Sequence, residues 1–287
     1  MKRKSKKIFL TFVVLFASIV LVACEGAANT GQDVVERIKE EGELMIGTSP
    51  DYPPMEFYVL DENRERQIIG SDIALAQAIA DELEVELKIT PTDFNGVMAN
   101  IQTASVDMGI SGFTWTENRD EVMQFSEGYL QETTLGFQGV MMQEELSEEF
   151  DSLEEIAAAD LTIGAQVGSI QFELAQMFTE PTDIKQYGTL DVGLAALNEG
   201  DIDAMIVSTS SAGPMLDTFP NLTILPQEDF DLDPERKYST NAIAFPLGEE
   251  YESLIEVSNK VIQESIADGS IEKWHEEALA ISEEANE

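Results

Sequence analysis

Apolar residues along the chain fall into two alternating periods. In SDIALAQAIADEL, 71–83, Ile73, Ala76, Ala80 and Leu83 recur at helical spacing, and Ser71 or Asp72 stands where an N-cap belongs. FNGVMANIQTA (94–104) reads as a second helix. ELMIGTS (43–49), VELKIT (85–90) and VDMGIS (106–111) read as short strands around them. The order restarts after residue 150. It gives a strand at 161–166, a helix at 169–178 opened by Gly168-Ser169, a strand at 183–187, a helix at 190–200 and a strand at 202–208. Strand–helix–strand order with short links predicts βαβ units and parallel sheets, an α/β fold. Segment 249–281 predicts an amphipathic helix that completes the first half.

The halves also resemble each other. ANIQTASVDMGI (99–110) aligns with AALNEGDIDAMI (195–206), placing Asp107 on Asp203 and Ile110 on Ile206. Extended stretches at 132–141 and 234–246 stand where the chain would cross between halves. The expectation is two open α/β lobes joined by two strands: residues 39–133 plus 236–287 in lobe 1, and 134–235 in lobe 2. Ligands of such sheets bind beyond the carboxyl ends of the strands. Ser111-Gly112 and Val207-Ser208 occupy equivalent strand ends, so both are expected to face one cleft.

Charge excludes some functions. The chain carries 56 acidic and 16 basic residues, a net charge of −40. Such a surface repels nucleic acid and anionic headgroups. Acidity on this scale serves solubility or a saline or alkaline habitat, or draws in cationic ligands. One cysteine, Cys24, and one histidine, His275, are too few for a Cys–His metal site or a Ser/His or Cys/His catalytic pair, so no metal or cofactor is expected. His275 lies in the acidic C-terminal helix and is expected to be solvated.

The first 38 residues read differently. MKRKSKK is a cationic leader and residues 8–23 an apolar run, the layout of an export signal over 1–23. LVAC, Leu21 to Cys24, resembles the lipobox of bacterial lipoproteins. That resemblance implies cleavage before Cys24 and lipidation of its thiol, with acyl chains, palmitate among them, holding the protein at the outer face of a membrane. An uncleaved anchor is the alternative. Residues 24–38 are then the lipidated cysteine and its tether.

Candidate binding groups cluster after the predicted strands. In SGFTWTENR, Ser111 and Thr114 offer hydroxyls and Gly112 an accessible backbone. Arg119 offers a planar fork suited to a carboxylate, or else a surface ion pair. In GAQVGSIQ, Gly168, Ser169 and Ile170 open a helix whose free N–H groups favour an anion, or Ser169 is simply an N-cap. Tyr52 and Phe94 follow strands as cavity walls or as local packing.

YPPMEF, IGSDIALAQAIADEL, TDFNGVMANIQT, VDMGISGFTWTENR, QFSEGYL, IGAQVGSIQ, GDIDAMIV, AIAFPLGEEYESL and ADGSIEKW stand in an order and spacing that resembles the bacterial extracellular solute-binding proteins of the amino-acid type. The likeness spans about 40 to 275. It implies a type II periplasmic-binding-protein-like fold with two crossover strands, hinge closure over a small ligand and no catalysis. The partner would be the permease of an ATP-driven (ABC) importer, and the receptor a monomer. It implies that Tyr52 and Phe94 sandwich the ligand, that Ser111, Gly112 and Thr114 contact its ammonium and carboxylate, and that Arg119 binds the carboxylate with the Gly168, Ser169 and Ile170 amides. Two acids usual in the family fall on Ser208 and Ser49, so a neutral cleft is expected and arginine and lysine are disfavoured. The ammonium must then use Ser208, carbonyls and an unplaced acid. Otherwise the ligand is a betaine held by Tyr52, Phe94 and Trp115, or a carboxylate without an α-amine. A polar or neutral amino acid is the leading expectation. A non-transport surface sensor or adhesin is a rival, and a cyclic-acid dehydratase using an acid such as Glu56 a remoter one.

Overall fold

The computed structural model describes residues 32–131 and 136–286. The expected signal sequence, Cys24 and residues 132–135 of the first crossing lie outside the described residues. No helix among the described residues is long and apolar enough to cross a membrane.

Two five-stranded sheets form the architecture, with one wiring used twice. The first runs Glu86–Pro91, Glu43–Thr48, Met108–Gly109, Thr240–Phe245, Gln124–Gln131. Its first three strands are parallel, and Thr240–Phe245 runs antiparallel to both neighbours. The second runs Lys185–Tyr187, Ile163–Gln166, Ala204–Ser208, Gln138–Gln143, Leu222–Ile224, again three parallel strands followed by an antiparallel one. A small antiparallel sheet of Asp51–Tyr52, Glu56–Leu60 and Arg66–Ile69 attaches beside the first.

The internal repeat has a physical basis. Asp107 accepts the Met45 N–H at 2.8 Å and donates its own N–H to the Met45 carbonyl. Asp203 does the same with Thr162, at 2.7 Å. In each half one carboxylate ties the third strand to the start of the first.

Helices follow the predicted periods. Ser71–Leu83 buries Leu75, Ala76, Ile79, Ala80 and Leu83 under the first sheet, where each large aliphatic side chain contributes about 1.5–3 kcal/mol. Phe94–Gln102 buries Val97 and Ile101, and Asp93 caps it through the Gly96 N–H. The predicted strand 106–111 shortens to Met108–Gly109, because the chain turns at Ser111 towards the cleft.

Three expectations need correction. The stretch read as tether to residue 38 already contains a helix, Val34–Glu41, capped by Asp33 and anchored through buried Val34 and Ile38. Segment 249–281 is not one helix: Glu252–Ala267 and Ser270–Asn286 meet at Gly269, whose φ of +80° ends the first. His275 is 3% exposed rather than solvated, since it shares the inward face of its helix with Ile271, Ala278 and Ser282. Burial lowers its pKa.

Candidate functional site

A cavity lies between the sheets, beyond the carboxyl ends of Glu43–Thr48, Met108–Gly109 and Ile163–Gln166. Of the residues read as candidates, Tyr52, Phe94, Ser111, Gly112, Thr114, Arg119, Ser169 and Ile170 line it. Gly168 joins through its carbonyl, which accepts from Arg119 Nη2 at 3.1 Å.

Each group is held by named bonds. Gly112 adopts φ +55°, its N–H donates to Asp72 at 2.9 Å, and a Cβ there would meet the Tyr52 ring at 3.0 Å. Ser111 Oγ donates to Glu56 Oε1 at 2.6 Å and accepts from the Ser49 N–H at 3.0 Å. The Tyr129 hydroxyl donates to Asp72 at 2.8 Å, fixing the carboxylate that fixes Gly112. Ser169 caps the short Ile170–Ala175 helix by accepting from the Phe172 N–H.

Arg119 dominates the electrostatics. Thr116 caps the turn that carries it, accepting the Arg119 N–H. The residue is 8% exposed. Its guanidinium lies over Phe94 and Phe113, 5.5 and 5.6 Å from the ring centres, and Nη1 donates to the Thr114 carbonyl at 2.7 Å. No ion pair among the described residues involves Arg119. Burial pulls its pKa down to about 10.

Acidic residues line the cavity as well, which corrects the expectation of a neutral cleft. Asp51 and Glu56 both line the cavity. Burial pushes Asp51 up to about 6. Glu56 is wholly buried, and burial first, then the charge of Asp72, holds it well above the usual carboxylate range. Asp72, buried beside it, has its own pKa raised by burial.

Ser208 is not brought to the cavity wall. It is buried at the end of its strand, beside Ser210, and its sheet partner Gln138 lines the cavity instead. Trp115 points away, 49% exposed. Sequence reasoning missed Asp51, Gln138, Gln166 and Gln171 as wall residues. Asp51 and Glu56 had a local signal, since they flank Tyr52 in SPDYPPMEF. The glutamines had none: Gln171 donates to Gln138 across 33 positions of sequence.

Comparison with known proteins agrees with this architecture. A family model described as bacterial extracellular solute-binding proteins, family 3, matches residues 44–280. A probable histidine-binding protein of Campylobacter jejuni is 26% identical over 267 residues, covering 92% of this chain and 95% of that protein. A solved amino-acid ABC transporter substrate-binding protein, AbpA of Streptococcus pneumoniae bound to L-arginine, is 30% identical, with a TM-score of 0.76 over 86% of this chain and 98% of that one. A cyclohexadienyl dehydratase of Pseudomonas aeruginosa is 24% identical over 226 residues, 78% of this chain and 81% of that enzyme. With a two-lobed sheet pair of the type II periplasmic-binding kind and a match across most of its length, the chain belongs to the bacterial extracellular solute-binding proteins, family 3.

Proposed function

We propose that the chain is the receptor of an ATP-driven importer that closes over a single amino acid and presents it to a membrane permease. One observation carries this reading: Arg119 is a buried cation whose bonded partners are the carbonyls of Thr114 and Gly168. Glu173 lies near enough to favour the charge but makes no ion pair with it. A buried charge left unpaired costs several kcal/mol, and a ligand carboxylate on the guanidinium fork offsets that cost. Asp51 and Glu56 also line the cavity, and their carboxyl oxygens are acceptors for an ammonium. This bipolar cavity favours a zwitterion over a simple carboxylate, and hydrogen-bonding acids favour a primary ammonium over a betaine.

The lobes, residues 39–133 plus 236–287 and residues 134–235, swing about the two crossings. The ligand docks first on Tyr52, Phe94 and Arg119, and the Ser169–Ile170 edge then closes on it. The pattern of residues 1–24 supports lipid anchoring through Cys24 on the extracytoplasmic face.

A polar side chain fits among Gln138, Gln166 and Gln171. A cationic side chain is the second reading, favoured by the placement of Asp51, which removes the ground for disfavouring arginine and lysine. A thermal-shift screen of L-amino acids, glycine betaine and small carboxylates tests both, since a tight ligand raises the melting temperature by mass action. An amino acid should give the largest shift. A response to betaine or simple carboxylates alone overturns the reading, and a response to arginine above glutamine selects the second.

A further inference from the structure

Asp51 bridges the two lobes. Its Oδ2 accepts from Gln166 Nε2 at 2.9 Å and from the Leu190 N–H at 2.6 Å. Gln166 ends the strand Ile163–Gln166 and Leu190 opens the helix Leu190–Glu199, so both donors belong to the second sheet's side. Oδ1 accepts from the Ser49 hydroxyl on its own side. Asp51 and Ser49 also line an outer groove, walled by Pro50, Tyr58, Asp93 and Met215 among others. Asp51 therefore stands between that groove and the inner cavity.

We propose that Asp51 is a positioning residue that latches the lobes shut, and that shutting them takes up a proton on its carboxyl group. This rests on the hinge closure proposed above. The bonding pattern permits it. A protonated Asp51 keeps every contact: Oδ1–H donates to Ser49 Oγ, which can accept as well as donate, while carbonyl Oδ2 still accepts from Gln166 and Leu190. The ionised form makes the same contacts but holds its charge away from water. Acidic groups face it from the packed elements: Glu56 on the adjacent strand, Asp191 on the helix opened by Leu190, and Asp93 on the groove wall. The cations on the two walls are Arg66 and Arg119.

The titration has a definite sign. Burial holds Asp51 near 6, with the Ser49 and Leu190 bonds acting against it and Asp191 adding to it. In separated lobes a hydrated carboxyl returns to its ordinary, lower value. The shut form therefore binds the proton more tightly. Closure is favoured as pH falls through about 6 and weakened as pH rises past it.

Amide exchange at Leu190, measured on the ligand-free full chain and corrected for intrinsic pH dependence, reads the latch directly. Small-angle scattering read alongside should show a smaller radius at the lower pH. Protection at Leu190 should rise about tenfold from pH 7.5 to pH 5. Asp51→Asn, whose amide replaces the O–H, should be as protected at pH 7.5 as the parent at pH 5, with no slope between. Asp51→Ala should lose protection about tenfold at both pH values. Gln166→Met, on the other lobe, should lose less and keep the slope, which preserves the test if Asp51→Ala fails to fold. A parent-like slope in Asp51→Asn, or parent-like protection in Asp51→Ala, overturns the latch. No ligand enters this measurement, so its failure leaves the receptor reading standing. A failed ligand screen would not alter Leu190 exchange.

Discussion

Arg119 reaches the cavity because a threonine cap starts its turn and two aromatic faces receive its guanidinium. Removing it leaves a ligand carboxylate desolvated and unpaired, so Arg119→Ala should weaken amino-acid binding by about 2 kcal/mol or more in calorimetry. Near-parental affinity would remove the residue from the site. Glu56 makes a separate prediction. Its pKa is raised in the folded protein, so the neutral form is the one folding favours. Its contribution is therefore fully present at low pH and is lost as pH rises through the raised value. Glu56→Gln keeps the Ser111 contact, offers an N–H towards Asp72 and cannot ionise. Urea midpoints of this variant should decline less than the parent's from pH 6 to pH 9, and parallel curves would contradict the assignment. Glu56 and Asp51 were in plain view in SPDYPPMEF, yet their titration was not legible, because burial sets it and burial belongs to the folded chain.

At the scale of elements, the equivalent aspartates offer the sharpest test. Asp203→Ala strips the Thr162 N–H of its acceptor and should cost about 1–3 kcal/mol in urea denaturation. Asp107→Ala should cost more, because it also breaks the ion pair with Arg37, itself half-buried. Equal or negligible losses would leave the repeat without the bonding role described above. The repeat itself was visible in sequence, since helix, turn, aspartate and strand recur in one order. The helix Val34–Glu41 was not. Eight residues make a marginal helix in isolation, and this one is fixed by Val34 and Ile38 packing into the first core. The small sheet around Tyr58 was missed for a similar reason, its strands being short and partly exposed.

Across the whole molecule, charge sets a global term. At −40 the folded chain repels itself, and salt screens repulsion beyond about 8–10 Å at physiological strength. The urea midpoint at pH 7.5 should therefore rise between 10 mM and about 0.5 M sodium chloride, and a flat or falling midpoint would show that paired surface charges outweigh the repulsion. The two-lobed α/β plan and the duplicated strand order were legible in local periodicity and in the turns that each strand end must make, whereas the grouping of Arg119 with Tyr52 and Phe94 was implied by the family resemblance alone. Folding in three dimensions withdraws Ser208, lines the cavity with Gln138, Gln166 and Gln171, and brings Asp51 to Leu190. The glutamine wall joins residues far apart in sequence within the second half, and the Asp51 contact joins the two halves; which side chains meet there, and with what charge, depends on how the folded chain packs and how much water it expels.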